Sequence, residues 1–483
     1  MNPRTRSWNA AMAPTVQDMD ITIPESHVDG TIPLSLRGGR VLSNGPGWTS
    51  IGGRTAHPFD GHGYVRSFEL LPGGGCRLRA AFVKTDSYRE EEAAGRLVRR
   101  GLATNISSRF WENIRRGPVR NVANTTIVRW GDRLLAGWEG GAPHALDPQT
   151  LETHGEDDLG GAIAGAATLA HMRQDRQRGR MILCSVALGR DTGFVFREID
   201  QDDEVVSTSE AKLDGMVFAH DYAITPSWFV VGGNPLQLKP WQLARSMVGA
   251  GTLLQSIKPD ERRGGVLHLI PRGRKGPVRT ITLPGPAFVV HFGNAFERDG
   301  DIVVDVSAFS RFDFGEEFGY SGPDSPFDPA LPDARGPQKL YRVTIPADSD
   351  TAQWVPLTDH GVDFPRFHPD HEGRETPRLF GATRKDVRFS DPFDSIIGID
   401  LRDLERPQQL WTAPENLFVG EPLFAPDAEH DDQGNIFAIV SDGLAAESTL
   451  VVFDAVALEK GPIASVKLPL LPVAFHGDWQ AAR

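Results

Sequence analysis

The chain has 483 residues, 40% hydrophobic and 24% charged, with a formal charge of −13. That composition describes an ordinary globular protein with ample core material, and its acidic balance excludes nucleic acid as a partner, because such a partner needs a basic surface to displace counterions. Cys76 and Cys184 are too few for a disulfide framework. The N-terminal run MNPRTRSWNAAMAPTVQD lacks the apolar centre of a secretory signal and no run approaches the ~18 apolar residues of a spanning helix, so a reducing cytoplasm is the expected compartment.

Residues 1–35 read as an N-terminal extension, and hairpin signals run from about Gly38 to the C-terminus. In HPFDGHGYV, His57 and His62 flank Asp60-Gly61 and are expected in a turn or at the surface. LPGGGC is glycine-rich, but it does not follow a strand and open a helix, so it reads as a turn and not a dinucleotide fingerprint. Ser87 to Arg100 carries acidic residues early and arginines late, which suits a helix dipole. TTIVRW-GD-RLLAGWEG is a hairpin pattern. Pro240 to Ile257 reads as an amphipathic helix, either covering a sheet face or lying against lipid. Two further hairpins follow, NAFER-DG-DIVVDVSAF and HDD-QG-NIFAIVSDG-LAAESTLVVFD, with His368 and His371 of RFHPDHEGRE between them in a loop expected to face solvent. No block alternates strands with long helices, which disfavours a doubly wound fold and favours a large antiparallel all-β architecture. Such folds run long as single units, so one domain over 1–483 is consistent with the length. No clean repeat is visible, and periodicity alone does not yield a propeller.

Chemistry concentrates in four histidines: His171 in TLAHMRQD, His220 in MVFAHDYAIT, His291 in FVVHFGNAFERDG and His476 in LPVAFHGDW. Their separations of 49, 71 and 185 residues are far too long for a local metal motif, so only a closed fold could gather them. Gathered, four neutral imidazoles would hold divalent iron and leave positions open for dioxygen. A metal-bound imidazole needs its other nitrogen fixed. Glu139 (AGWEGGAP), Asp363 (HGVDFPRF) and Glu421 (VGEPLFAP) sit beside apolar residues, where a carboxylate needs a partner. His144, His154, His268, His360 and His430 lack such surroundings. There is no G-x-S-x-G, H-E-x-x-H, phosphate loop or C-x-x-C pair.

The phrases HPFDGHGYV, FVKTDSYREEEAAG, NVANTTIVRWGDRLLAGWEGGAPHALDPQTLETHG, FAHDYAITPSWFVV, HLIPR, HFGNAFERDGDIVVD, DFPRF, GEPLFAP and FHGDW run from His57 to Trp479. In that order they resemble landmarks of the carotenoid cleavage oxygenase family. The resemblance implies a single seven-bladed β-propeller, with a cap of helices and loops enclosing an apolar tunnel. It implies one Fe(II) per chain on His171, His220, His291 and His476, with dioxygen as co-substrate and an apolar polyene as substrate. Glu139 would orient His220, Asp363 would orient His291 and Glu421 would orient His476, leaving His171 without a carboxylate. Thr125 matches a threonine whose methyl group crowds one open coordination position, and Trp138, Phe218 and Phe364 match aromatic positions of the tunnel. The region from Phe218 to Ile257 most resembles the cyanobacterial apocarotenoid-cleaving branch. Its NPLQLKPWQLARSM run implies a tunnel-mouth helix over 236–257 and peripheral contact with the inner face of a membrane.

Two positions depart from the family pattern. Asp363 stands where glutamate is usual, and its shorter arm is expected to need a shifted backbone or a bridging water to reach His291. AHMRQD stands at His171 where AHPR or AHPK is common. Three functions stay open. One is cleavage of an apocarotenoid near its centre to retinal-like aldehydes. Another is the same chemistry on a stilbene, disfavoured by Trp138 where that branch carries lysine. The third is a metal-free binding or carrier propeller.

Overall fold

Turn chemistry and alternation account for most of the strands. The protein is described by a computed structural model covering residues 1–14, 16–114, 119–260, 262–315, 318–322, 325–334, 337–389 and 392–482. At the NAFER-DG-DIVVD hairpin, Phe288–Arg298 pairs with Asp301–Phe309, and Arg298 faces Asp301. The two residues between them, Asp299 and Gly300, have φ of +52° and +92°, the pair of left-handed positions that a two-residue hairpin turn requires. Within Thr192–Ile199, Phe194 and Phe196 alternate inward, and Phe196 stacks on Phe229 of the neighbouring sheet.

Among the described residues, seven sheets of four or more strands follow one another, and each is a blade. Their innermost strands are Thr126–Trp130 (blade 1), Arg173–Asp175 (blade 2), Tyr222–Ile224 (blade 3) and Phe288–Arg298 (blade 4). Asp363–Arg366, Leu423–Pro426 and His476–Gln480 serve blades 5, 6 and 7. Inner strands of adjacent blades pack on one another where blades 3 and 4, 4 and 5, 6 and 7, and 7 and 1 meet. The fold is an all-β propeller. Blade 7 joins the two chain ends: His476–Gln480 pairs with Arg40–Asn44, followed outward by His62–Leu70, Cys76–Phe82 and Met19–Ile23. This closure seals the ring without a free inner edge. The Asn44 amide ties it to blade 1 by donating to the Ala123 and Thr126 carbonyls at 2.8 and 3.0 Å.

Residues 1–35 are woven into the propeller and do not form a separate extension. Met19–Ile23 edges blade 7, and Val28–Gly30 edges blade 6 against Ala464–Pro469. Helix α1 (Pro3–Met12) buries Trp8 and Met12 with Phe327 and Phe418. The core lies between blades, as where Phe437 stacks on Trp479 at 5.1 Å between blades 6 and 7. Phe437 is fully buried, so Phe437→Ala is expected to cost about 3–5 kcal/mol, read as a lower urea midpoint. A change within error would place the closure energy elsewhere.

Both predicted helices end early. Helix α2 covers Asp86–Ala94, capped by Thr85, whose Oγ1 accepts from the Tyr88 N–H at 3.1 Å, and stopped by Gly95 at φ +62°. Helix α3 covers Pro240–Met247; Gly249 at φ +75° breaks it, a short 3-10 turn spans Leu254–Ser256, and 236–238 belong to the strand Asn234–Leu238. His57 and His62, expected in a turn or at the surface, are both buried. His57 accepts from the Phe59 N–H and caps a turn. His62 meets Glu91 of α2 at 2.8 Å, and Arg120 donates to the same carboxylate at 2.8 Å, pinning α2 to blade 7. His368, expected to face solvent, is buried and stacks on His371.

Candidate metal centre

All seven blades converge on one point of the axis, and each delivers one charged or imidazole group. His171 lies just before the inner strand of blade 2, His220 just before that of blade 3, His291 within that of blade 4, and His476 opens that of blade 7. Ligand atoms of these four lie within 4.8 Å of one another. Nε2 of His171 and of His220 are 3.2 Å apart. The other three blades supply carboxylates: Glu139 past the second strand of blade 1, Asp363 opening blade 5, and Glu421 just before the inner strand of blade 6.

Each carboxylate takes one imidazole Nδ1. Glu139 meets His220 at 2.8 Å, Asp363 meets His291 at 2.7 Å and Glu421 meets His476 at 3.0 Å. An ionised carboxylate can only accept, so each Nδ1 carries the hydrogen and each Nε2 presents a lone pair. Nε2 of His291 is buried without a hydrogen-bond partner. Three such lone pairs aimed at one point are an unfavourable arrangement for a polar interior unless a cation occupies it. Imidazole donors suit a borderline divalent transition metal, and ligands at about 2.0–2.1 Å subtend roughly 3 Å edges, close to the separation of the His171 and His220 nitrogens. The residues fit a metal.

Burial and charge act together at one of these groups and against each other at the rest. Burial and the neighbouring imidazoles hold His171 well below the ordinary histidine range. Burial also lowers His476, to about 4, against the pull of Glu421. At His220 burial is outweighed by Glu139 and the pKa rises. Asp363 and Glu421 are pushed up by burial, yet His291 holds the first low, while Arg366 and His476 bring the second to about 2. Both acids stay ionised at neutral pH.

Asp363 reaches His291 directly at 2.7 Å, from an irregular stretch of backbone. Blade 5 has a register irregularity between Asp363 and Arg366, and Phe364 is held at φ +51°, a costly conformation for a bulky residue. The displaced Phe364 ring packs 5.2 Å from both His291 and His476. Asp221 carries a signal that sequence reasoning passed over: it adjoins His220, and its Oδ1 lies 3.6 Å from Nδ1 of His171. It is claimed more closely by Arg173 at 2.6 Å and by the Phe292 N–H at 2.9 Å, so among the described residues His171 has no carboxylate at hydrogen-bond distance. Arg366, also passed over, donates to Glu421 at 2.9 Å.

An apolar cavity reaches the centre from one side. Thr125, Trp138, Phe218 and Phe364 all line it, as do Leu102 and Leu254 from segments outside the blades. Phe218 stacks on Phe288 at 5.7 Å. Among the described lining residues the ionisable ones are His220, His291, His476 and the three carboxylates paired to them.

The family model described as retinal pigment epithelial membrane protein matches residues 12–481. The chain belongs to this family. Within it, the chain is 30% identical to the apocarotenoid-15,15'-oxygenase of Synechocystis sp., over 98% of this chain and 96% of that protein. It is also 30% identical to the chloroplastic carotenoid cleavage dioxygenase 7 of Oryza sativa subsp. japonica, over 95% and 88%. The crystal structure of cobalt-substituted Synechocystis apocarotenoid oxygenase superposes with a TM-score of 0.90 at 28% identity, covering 99% of both chains. Family membership accounts for the order of the sequence landmarks.

Proposed function

We propose that the chain is a non-haem Fe(II) dioxygenase that cleaves a conjugated carbon–carbon double bond of an apocarotenoid or carotenoid. The observation that carries the reading is an aromatic-walled cavity ending on His220, His291 and His476 of the four-histidine cluster, with no charge among its described lining residues except the centre's own. His171, His220, His291 and His476 would hold the iron, with Glu139, Asp363 and Glu421 fixing three of the rings. Bound there, iron supplies the electron exchange that lets dioxygen react with a closed-shell alkene. Overall, one C=C and one O2 become two carbonyls, with no external reductant.

The remaining work falls to the protein's own atoms. The Nδ1–carboxylate pairs hold the imidazoles in one tautomer and orientation. Trp138, Phe218 and Phe364 offer flat faces that align a polyene and exclude water. Thr125 is buried beside the centre, with its hydroxyl donating to Asn124 at 3.1 Å, which leaves its methyl as the group available to crowd a coordination position. A phenolic stilbene would need a tyrosine and a lysine to grip its hydroxyl; neither type lines the cavity among the described residues.

A lipid-facing entrance fits the same reading. Trp241 and Met247 of α3 are each 74% exposed. The Phe110–Asn113 turn lies beside them, with Asn113 donating to the Gly249 carbonyl at 2.9 Å, and it adds exposed Phe110 and Trp111. Leu254, which follows α3, lines the cavity. Apolar substrate would pass from a membrane surface into the tunnel there. Among the described residues no helix is long and apolar enough to span a membrane.

The test is anaerobic purification with iron quantitation, then aerobic incubation with an apocarotenal or a hydroxystilbene under 18O2. About one iron per chain and a labelled retinal-sized aldehyde are expected from the apocarotenal. Aldehydes from the stilbene alone would overturn the substrate, and absence of iron and products would leave a carrier propeller.

A further inference from the structure

A second cavity meets the histidines from the opposite side, and its chemistry is the reverse of the tunnel's. His171 lines this cavity and not the tunnel, His220 lines the tunnel alone, and His291 and His476 line both. The second cavity carries three arginines, Arg173, Arg176 and Arg366, against four carboxylates, Asp221, Glu372, Glu421 and Asp478. Most of these charges are paired. Arg173 donates to Asp221 at 2.6 Å and lies 3.4 Å from Glu372, and Arg366 bonds Glu421. Arg176 lies 3.9 Å from Asp478 and 3.3 Å from Asp370. Asp478 keeps nearly a quarter of its side chain exposed.

We propose that this polar cavity, and not the apolar tunnel, is the route by which the divalent metal enters and leaves the four-histidine centre. A hydrated dication loses water at a steep cost, and a wall of phenylalanines returns none of it. Carboxylates and peptide oxygens replace hydration oxygens in kind. In the cavity the four acids outnumber the three arginines by one, so the local field favours a cation. A route ending on His171 also gives that residue a purpose. Among the described residues its nearest carboxylate is Asp221 at 3.6 Å, against 2.7–3.0 Å for the other three rings, which leaves it the ring held least tightly by an acid and the best placed to receive an incoming ion.

The inference rests on the four histidines being the metal ligands, and it fails separately from that reading. The probe is Co2+ alone. Uptake into chelator-stripped full-length protein is followed by its visible absorbance, and release from the loaded protein is followed with a chelator in excess. A residue on the route changes uptake and release by the same factor and leaves the equilibrium affinity unchanged. A residue that merely supports a ligand changes release and affinity together. Val128 lines the polar cavity and Leu254 the tunnel. Val128→Trp is expected to slow both rates about tenfold, and Asp478→Asn to slow uptake by a similar factor at low ionic strength, the gap closing as salt is added. Leu254→Trp is expected to raise KM for an apocarotenal and leave both metal rates alone. Asp478→Asn is isosteric, so it keeps the test alive if the tryptophan variant does not fold. Exchange slowed by Leu254→Trp but not by the polar-cavity variants would overturn the route. A wild-type protein that takes up no Co2+ would overturn the ligand assignment instead.

Discussion

His476→Ala is expected to lose bound metal and alkene cleavage together while the propeller stays folded. Apparent binding energies of about 10–16 kcal/mol for a four-ligand metal site put one imidazole at roughly 2.5–4 kcal/mol, a loss of about 70- to 900-fold in affinity. The rest of the network survives the deletion. Glu421 still accepts from Arg366 at 2.9 Å and from the Gly477 N–H at 2.7 Å, so no carboxylate is left bare. The strand His476–Gln480 keeps its pairing with Arg40–Asn44 through backbone groups alone. The readouts are iron per chain, cleavage rate and circular dichroism. His220→Ala should behave alike, with one difference: among the described residues Glu139 then retains only the Ala170 N–H at 3.3 Å, a weak hold that lets it rotate away. Full iron content and full activity in either variant would sink the four-histidine centre.

What the chain discloses by itself depends on how local the cause is. The hairpin at Asp299-Gly300 was legible because two left-handed residues between β-branched runs have few other uses. The ends of α2 and α3 are not legible for a related reason: Gly95 and Gly249 stop both helices, but a glycine inside a helix-forming run reads as tolerated. Closure of the ring was invisible. Met19–Ile23 and Val28–Gly30 are short edge strands whose partners lie more than fifty and four hundred residues away, and edge strands bury too little to show a pattern.

The site divides in the same way. The histidines and their three carboxylates were legible through their phrases, never through their spacing, because the gaps of 49, 71 and 185 residues measure only how much chain each blade and its loops consume. Asp221 was missed since nothing local separates it from a residue that merely follows His220. The His62–Glu91–Arg120 cluster was missed because burial of a charged trio is decided by what packs around it. The bulge at Phe364 was anticipated only as a need: an aspartate one methylene short must be carried closer by its backbone.

That bulge makes the Asp363 position the sharpest test of how the centre is tuned. Asp363→Asn keeps the shape of the side chain but removes the charge, and its amide can turn a donor toward Nδ1 of His291. The hydrogen that fixes the tautomer is then no longer required, and the Nε2 lone pair is no longer strengthened. Metal affinity is expected to fall about 10–100-fold, with cleavage falling in proportion when metal is limiting and recovering in part when Fe(II) is supplied in excess. Asp363→Glu is expected to fall between wild type and Asp363→Asn. The longer arm suits a regular strand, whereas here Phe364 at φ +51° has already brought the carboxylate to 2.7 Å, so the extra methylene must be accommodated by relaxing the bulge. Relaxation would also move the Phe364 ring away from His291 and His476, so Asp363→Glu should alter KM for the polyene while Asp363→Asn alters mainly metal content. Equal metal affinity in wild type and Asp363→Asn would mean that Asp363 serves only to shape the strand.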